Sequence, residues 1–373
     1  MEIYIARGGD TLQSVARRFS QNAETLRRVN ALNDPTRLTP GLALLIPGGD
    51  TPTSSMELGA YGAGALMTYR GLLPSLSFVC QCSARVMSDG QIVPAGGSLT
   101  PEDALTRETA PLFAISNADG QGGYSAASAH RLLSEPLGAD MLLEAAAPAL
   151  EQGFRGIYLE LLWLYPFDRE PYNRLLQELS KKLHRLGAYL VTALAPKGES
   201  GSESLVCAGH DYACHGQYAD RCVLLGLDWG NAQSAPQAIA PPGRIRAALD
   251  YASGKLPSGK LMLALSAHGY NWRLPWRRGE AASPIFHTAA ANMAVSLGAE
   301  VRFDRGFSAP YFTYTDPIGI RHAVWFEDVR CTGRQLELAG EYSLGGLFFM
   351  NAGRVHAPSL RLIQSRYTAE RFE

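Results

Sequence analysis

The chain has 373 residues, 46% of them hydrophobic and 18% charged, with a formal net charge of -1. That composition describes a folded chain with room for one large and one small domain, and it excludes extended disorder. Charges of both signs are spread along the sequence, so neither nucleic acid nor an anionic membrane is expected as a partner. No apolar run reaches transmembrane length, and Met1 leads straight into an alternating strand without a basic and then apolar signal segment. Synthesis in the cytoplasm is the expectation. Six cysteines, Cys80, Cys82, Cys207, Cys214, Cys222 and Cys331, form no CxxC pair and are expected as thiols in a reducing compartment.

Residues 1–48 read as a self-contained strand-helix-helix-strand unit. Glu2 to Ala6 is predicted as a strand, Gly8-Gly9-Asp10-Thr11 turns the chain and caps a helix, and Leu12, Val15, Ala16 and Phe19 fall at helical spacing. A second short helix follows Asn22, burying Leu26 and Val29, and Ala43 to Ile46 returns as a strand before Pro47-Gly48-Gly49. Tyr4, Gly9-Asp10-Thr11-Leu12, Ala16, Phe19, Leu26, Asn30, Leu38, Pro40-Gly41, Leu44 and Ile46-Pro47 together resemble a LysM module. The resemblance implies binding of N-acetylglucosamine-containing glycans such as peptidoglycan or chitin. The groove would lie between Gly9, Asp10, Thr11 and Leu12 on one side and the loop from Asn33 to Leu38 on the other, with backbone amides bonding acetamido groups. A module kept for folding or protein contact is the alternative, since a single copy binds weakly.

Residues 49–56, rich in Thr, Ser and Pro, read as a linker that lets the two units move. Beyond it, residues 57–373 alternate apolar runs with amphipathic helices. The predicted strands are Leu58 to Tyr61, Leu76 to Val86, Pro111 to Ser116, Ile157 to Trp163, Tyr189 to Leu194, Cys222 to Leu227, Lys260 to Ser266 and Gly346 to Met350. Eight strands with helices between them indicate an α/β fold, a (β/α)8 TIM barrel. In the helix after the fourth strand, Tyr172, Leu175, Leu176, Leu179, Leu183 and Leu186 form an apolar stripe, and Gly187 is the expected stop.

The stretch Gly153 to Tyr172, GFRGIYLELLWLYPFDREPY, resembles the fourth barrel strand of glycoside hydrolase family 18. The family pattern is Asp-Gly-x-x-x-Asp-x-Glu, a Pro-containing loop, and an Asp-Arg-x-x-Tyr helix start. Gly156 stands here, but Arg155 and Glu160 replace the two aspartates and Leu162 occupies the place of the acid. Ala195-Pro196-Lys197, His210-Asp211-Tyr212, Asp228-Trp229-Gly230 and Gly269-Tyr270-Asn271-Trp272 follow in the order of the spore-germination branch of that family. Pro310-Tyr311-Phe312-Thr313-Tyr314 and Val324-Trp325-Phe326-Glu327-Asp328 fall in the small α+β insertion that the resemblance implies between strands seven and eight, about residues 273–325.

In that family a Glu protonates the leaving oxygen while the substrate's own acetamide attacks, so everything depends on holding the acetamide. The positions that would do this are Glu160, Leu227 and Met350. Strand alternation points Tyr158, Glu160 and Leu162 inward, with Glu160 a layer deeper than an acid needs to be. Four changes together predict a barrel without hydrolysis and leave Glu160 as the catalytic candidate on the strand, with Asp228 the other acid that a rearranged pocket would use. Asp119, Asp228 and Glu327 are the other acids near strand ends, each with a structural alternative in a turn, a backbone contact or an ion pair. Trp229, Tyr270, Trp272 and Tyr314 are candidates for stacking on sugar rings at the barrel mouth, with packing as the alternative. Cys207, His210, Cys214 and His215 match no common zinc spacing, and neither metal nor cofactor is expected. The leading reading is a glycan-binding scaffold of the spore cortex or coat, with coat or cortex proteins as further partners. An active N-acetylglucosaminidase and a lectin-like barrel are the alternatives.

Overall fold

The computed structural model describes residues 1–62, 66–95, 100–105, 107–120, 122–198 and 207–372, with the side chains of Leu66, Cys82, Ser83 and Leu105 outside the description. The first unit is β1 (Glu2–Ile5), α1 (Leu12–Arg18), α2 (Ala23–Val29) and β2 (Ala43–Ile46). Thr11 caps α1 reciprocally with Ser14, its hydroxyl accepting from the Ser14 amide at 3.0 Å while the Ser14 hydroxyl accepts from the Thr11 amide at 2.9 Å. Asn22 caps α2 through the Glu24 amide at 2.8 Å. β1 and β2 pair antiparallel, Glu2 opposite Ile46.

The barrel follows as β3 (Ser54–Gly62), β4 (Phe78–Val86), β5 (Ile92–Pro94), α3 (Pro101–Leu105), β6 (Ala110–Ser116), α4 (Ala126–Leu133), α5 (Gly138–Glu151) and β7 (Gly156–Glu160). It continues through α6 (Arg169–Arg185), β8 (Tyr189–Leu194), α7 (Tyr212–Tyr218), β9 (Arg221–Leu224), α8 (Pro242–Ala252) and β10 (Leu261–Leu265). After an insertion come β16 (Gly346–Phe349), α11 (Ala357–Gln364) and β17 (Tyr367–Ala369). Strands β3, β4, β6, β7, β8, β9, β10 and β16 are joined in parallel, and β16 pairs back on β3, which closes the barrel. The eight predicted strands are these eight with shifted ends, β3 running longer than expected and β7, β9 and β10 stopping earlier. The fourth stops at Glu160, so Leu161 to Trp163 already belong to the following loop.

Alternation sorts the side chains into two apolar layers. Phe78, Leu112, Tyr158, Val191, Val223, Met262 and Phe348 fill the interior, while Val79, Ile157, Leu159, Leu190, Leu224, Leu263 and Leu347 pack outward against the helices. Gly156 is required where it stands, because a Cβ there would collide with the Tyr189 carbonyl of the neighbouring strand. On α6 the predicted stripe is buried from Tyr172 to Leu183. Leu186 is 63% exposed, because the helix has ended at Arg185 and the chain has left the stripe.

At the amino-terminal ends of the strands the barrel floor is sealed by an ion pair and a ring. Glu57 of β3 accepts from Arg221 of β9, the Nε bond measuring 2.6 Å. Phe372 lies 4.7 Å from Phe78 and 4.8 Å from Tyr189, centroid to centroid, brought there by β17, which pairs with the first residues of β3.

The insertion between β10 and β16 comprises β11 (His268–Leu274), β12 (Ser283–Phe286), α9 (His287–Leu297), β13 (Arg302–Asp304), β14 (Ala309–Thr315) and β15 (Arg321–Trp325), with α10 (Val329–Glu341) returning to the barrel. Its five strands form one antiparallel sheet in the order β12, β11, β15, β14, β13. The sheet therefore starts at His268, a few residues before the expected boundary.

The freedom expected of the linker is not what the structure shows. Ser54 is already part of β3, and the amino-terminal unit is docked on the insertion. Tyr4, Leu12, Val15, Leu26 and Leu44 share one apolar cluster with Ala290, Val295, Phe312, Val324 and Phe326. Around that cluster the Asn33 amide donates to Asn292 Oδ1 at 2.7 Å and Asn292 Nδ2 to the Ala31 carbonyl at 2.9 Å. Thr39 Oγ1 donates to the Ala299 carbonyl at 2.7 Å, and the Val301 amide to the Pro40 carbonyl at 2.9 Å. Gly41, at φ 81°, lies where any Cβ would run into the Val301 carbonyl. Among the described residues no helix is long and apolar enough to cross a membrane.

Candidate functional site

The barrel mouth lies at the carboxyl ends of the strands, where the loops after β6, β7, β9, β10 and β16 converge. β7 directs Tyr158 and Glu160 inward, and Leu162 joins the same interior cluster just past the strand end. Leu162 is held by its backbone: its amide donates to Asn117 Oδ1 at 2.9 Å and its carbonyl accepts from Asn117 Nδ2 at 2.8 Å. The acid position therefore presents a buried isobutyl group on a fixed turn.

Glu160 is buried as well, and both of its oxygens are engaged. Tyr158 donates its hydroxyl at 2.6 Å to Oε2, and the Tyr124 hydroxyl makes a short bond to Oε1. Burial pushes the Glu160 carboxyl above its ordinary range, and the two phenols pull it back. The same burial, with the Glu160 charge, holds both phenols well above theirs. A carboxylate bracketed by two phenols inside the barrel serves as an anchor for those rings. Above it Leu227 and Met350, both half-buried, pack on the interior cluster that contains Leu162.

Asp228 and Trp229 follow on the loop after β9. Asp228, at φ 62°, is exposed to solvent on one side, and partial desolvation by the protein around it pushes its carboxyl up to about 6. Trp229 is half-buried, its amide donating to the Ile239 carbonyl at 3.0 Å. Tyr270 and Trp272 stand on one face of the insertion sheet with Trp325 and Tyr311, but Tyr270 is 8% and Trp272 0% exposed. Trp272 Nε1 donates to the Ser234 carbonyl at 2.7 Å. These two rings hold the loop after β9 against the sheet and are not available to stack on a sugar. Tyr314 leaves the mouth altogether. Register places it on the opposite face of the sheet, toward the amino-terminal unit, stacked 4.7 Å from His322 and accepting from Asn271 Nδ2 at 2.9 Å.

The other acids have structural duties. Asp119 Oδ1 accepts from the Gly123 amide at 2.9 Å and so closes its turn. Glu327 is buried between α9 and α10. Its Oε1 accepts from Gln335 Nε2 at 3.1 Å and its amide donates to His287 Nδ1 at 3.0 Å, while burial, with Asp328 and Asp228 adding to it, raises its carboxyl to about 8.

His210 and His215 lie buried beside Tyr172, with ring centroids 5.6 Å apart, and burial pulls both below the ordinary histidine range. Neither nitrogen of His210 has a hydrogen-bond partner among the described residues. The Cys214 thiol is turned toward the Asn173 carbonyl, and among the described residues no three His, Cys, Asp or Glu side chains are arranged to hold a metal ion. Cys80, Cys214, Cys222 and Cys331 are thiols, while the Cys82 side chain lies outside the described residues.

In the amino-terminal unit, Gly9 and Thr11 are exposed, and Asp10 is fixed by the Tyr4 hydroxyl and the Arg7 amide, each at 2.7 Å. Leu12 is fully buried and its amide donates to the Thr36 carbonyl at 3.3 Å, so it ties the two loops together. Asn33 is engaged by Asn292 and Leu38 packs against the docked core, leaving the tips of the loops facing solvent.

Sequence reasoning missed Tyr124 and Asn117, which position the β7 end, and Trp163, 43% exposed at φ 57° and meeting Tyr124 edge-on with ring centroids 5.9 Å apart. Periodicity carries no signal for a loop residue that reaches a strand 36 or 45 positions away in sequence.

Residues 4–47 match the LysM domain. The chain is 31% identical to the cortical fragment-lytic enzyme of Bacillus subtilis (strain 168) over 95% of each chain, and 30% identical to the Bacillus anthracis protein of that name over 80% of this chain and 70% of the relative. The crystal structure of the spore cortex-lytic enzyme SleL of Bacillus megaterium QM B1551 superposes with a TM-score of 0.90 at 24% identity, covering 100% of this chain and 99% of that one. The Bacillus cereus SleL structure superposes at 0.78 and 28% identity, over 99% and 87%. With a LysM domain at its start and a glycoside hydrolase family 18 barrel behind it, the chain belongs to the family of the cortical fragment-lytic enzymes.

Proposed function

We propose that this protein binds N-acetylglucosamine-containing glycan at the spore cortex or coat and that its barrel does not hydrolyse it. The observation that carries this reading is the replacement of the acid by Leu162, buried and clamped by Asn117, above a Glu160 whose two oxygens are taken by Tyr124 and Tyr158. A general acid must reach the leaving oxygen, at about 3 Å. Glu160 is a layer too deep, and Leu227 and Met350 offer no polar group to orient an acetamide. The LysM match and the cortex-lytic relatives supply the glycan class and the spore setting.

The test is incubation of purified spore cortex with wild type and Glu160→Gln, scored both by sedimentation with the wall and by released muropeptides. Retention of both proteins without release is expected. Release by wild type that the Gln variant lacks would make Glu160 a working acid and end this reading.

One observation favours the hydrolase alternative. Asp228 is a solvent-facing carboxyl at the mouth whose pKa is raised to about 6, which suits an acid near neutral pH. Cleavage lost in Asp228→Asn but kept in Glu160→Gln would establish it.

A further inference from the structure

On α9 the small residues Ala290, Ala291, Ala294 and Val295 are buried against the core of the LysM unit. Asn292 interrupts that row, although asparagine is a weaker helix former than the alanines around it. Its carboxamide is fully used. Oδ1 accepts from the Asn33 amide at 2.7 Å, and Nδ2 donates to the carbonyls of Ala31 and Thr288, each at 2.9 Å.

The backbone that grips the carboxamide is held from within the LysM unit. The chain leaves α2 through Ala31 at φ 49°, and the Leu32 carbonyl, between the two gripping groups, accepts from Arg27 at 2.9 Å. Asp34 Oδ1 then accepts from the Thr36 and Arg37 amides, each at 2.8 Å. A rigid loop thus presents the Ala31 carbonyl and the Asn33 amide as a pair. A carbonyl that accepts beside an N–H that donates is what Asn292 brings to that pair, and it is also what an N-acetyl group offers. We propose that Asn292 is an internal stand-in for an acetamide, capping the LysM groove at Asn33, and that an N-acetylhexosamine strand enters by displacing this one side chain.

The cap rests on the glycan-binding reading and deepens it. Asn33 is exposed and Asn292 half-buried, so the exchange takes place at the solvent rim of the docked interface. It asks for the turn of a side chain and leaves the shared apolar cluster and the Thr39 and Val301 bonds in place. Thr288 lies one turn back on the same helix, and its carbonyl offers the displaced Nδ2 a local partner. A site that is mostly filled by the protein's own side chain binds more weakly in proportion to the fraction left open. Selectivity follows as well. A deacetylated amino sugar carries an ammonium group, which cannot accept from the Asn33 amide and cannot lift the cap.

The experiment uses the full chain labelled with 15N-asparagine and titrated with chitotetraose. The Asn292 side-chain pair is assigned by its loss in Asn292→Ala, and the Asn33 amide by its loss in Asn33→Ser. Both signals should move saturably together, and the affinity read at Asn33 should tighten about 5- to 30-fold in Asn292→Ala. Thr39→Val, which removes a neighbouring docking bond and leaves the carboxamide, should keep the wild-type affinity. The fully deacetylated tetramer should move neither signal. Binding with the Asn292 pair unmoved, an unchanged affinity in Asn292→Ala, or an equal gain in Thr39→Val overturns the cap and leaves the glycan reading standing. Equal shifts with the deacetylated tetramer overturn the acetamide assignment. Absence of binding to chitotetraose and to cortex fragments, in wild type and Asn292→Ala alike, overturns the glycan reading and the cap with it.

Discussion

Replacing Glu327 with glutamine should make the folded state resistant to alkali. Glu327 is buried where β15 leads into α10, with Gln335 donating to Oε1 and His287 accepting from its amide, and burial raises its carboxyl from an ordinary 4.5 to about 8. A carboxyl whose folded pKa exceeds its unfolded one binds its proton more tightly when folded. The stability it contributes is complete below about 4.5 and is lost as pH rises through about 8. The interval, at about 1.36 kcal/mol per pH unit, amounts to a loss on the order of 5 kcal/mol. Glutamine keeps the shape and neutrality of the protonated acid and removes the titration. Wild type and Glu327→Gln should therefore differ by about 1 kcal/mol or less at pH 5, and the variant should gain several kcal/mol over wild type by pH 9. His287, held below its ordinary range by burial, acts on the acid side, losing stability as pH falls, and is common to both proteins. Urea unfolding at one-unit steps from pH 5 to pH 9 measures the difference directly. Parallel curves for the two proteins would refute the buried, protonated state of Glu327.

Three further outcomes are expected. Leu162→Glu should not create muropeptide release and should cost about 3–5 kcal/mol in urea unfolding, since it removes a buried leucine and buries a carboxyl among Leu227, Met350 and the interior cluster; turnover by this variant would show that acetamide orientation survives. Gly41→Ala should cost about 1–3 kcal/mol and open the junction between LysM unit and insertion to protease, because both φ and the Val301 carbonyl exclude a side chain; an unchanged digestion pattern would show the docking to be elastic. Arg221→Met should lower stability by about 3–5 kcal/mol by leaving Glu57 buried without its partner, with a fall below 1 kcal/mol counting against a sealed floor.

The barrel was legible because its strands are short apolar runs with buried inner and outer faces, and the exchange of the acid for Leu162 could be read by counting along one strand. What could not be read depends on contacts distant in sequence. Tyr270, Trp272 and Tyr314 occur in aromatic motifs, but only the pairing of β15 with β11 and β14 decides which face each occupies, and it buries the first two and turns the third away from the mouth. The stretch after Pro47 has the composition of a flexible link. Its freedom is removed some 250 residues further on, where the Asn292 side chain, the Ala299 carbonyl and the Val301 amide dock the LysM unit. Trp163 escaped notice because the strand was expected to run through it, whereas regular pairing ends at Glu160, three residues earlier, where the Asn117 clamp takes over.

The way the barrel seam is closed has a consequence for the order of synthesis. β3 is the first barrel strand to leave the ribosome, yet one of its edges is covered only by β16 and the start of the other by β17, both near the end of the chain, and Phe372 reaches the floor later still. Until then a nascent chain carries an unpaired, apolar strand edge through nearly the whole of translation, the kind of edge that recruits other strands. The LysM unit is in the same position, with its docking partner still unmade. Slow elongation late in the message, or cooling during expression, should therefore change the soluble yield of this protein more than an equal delay early in the chain.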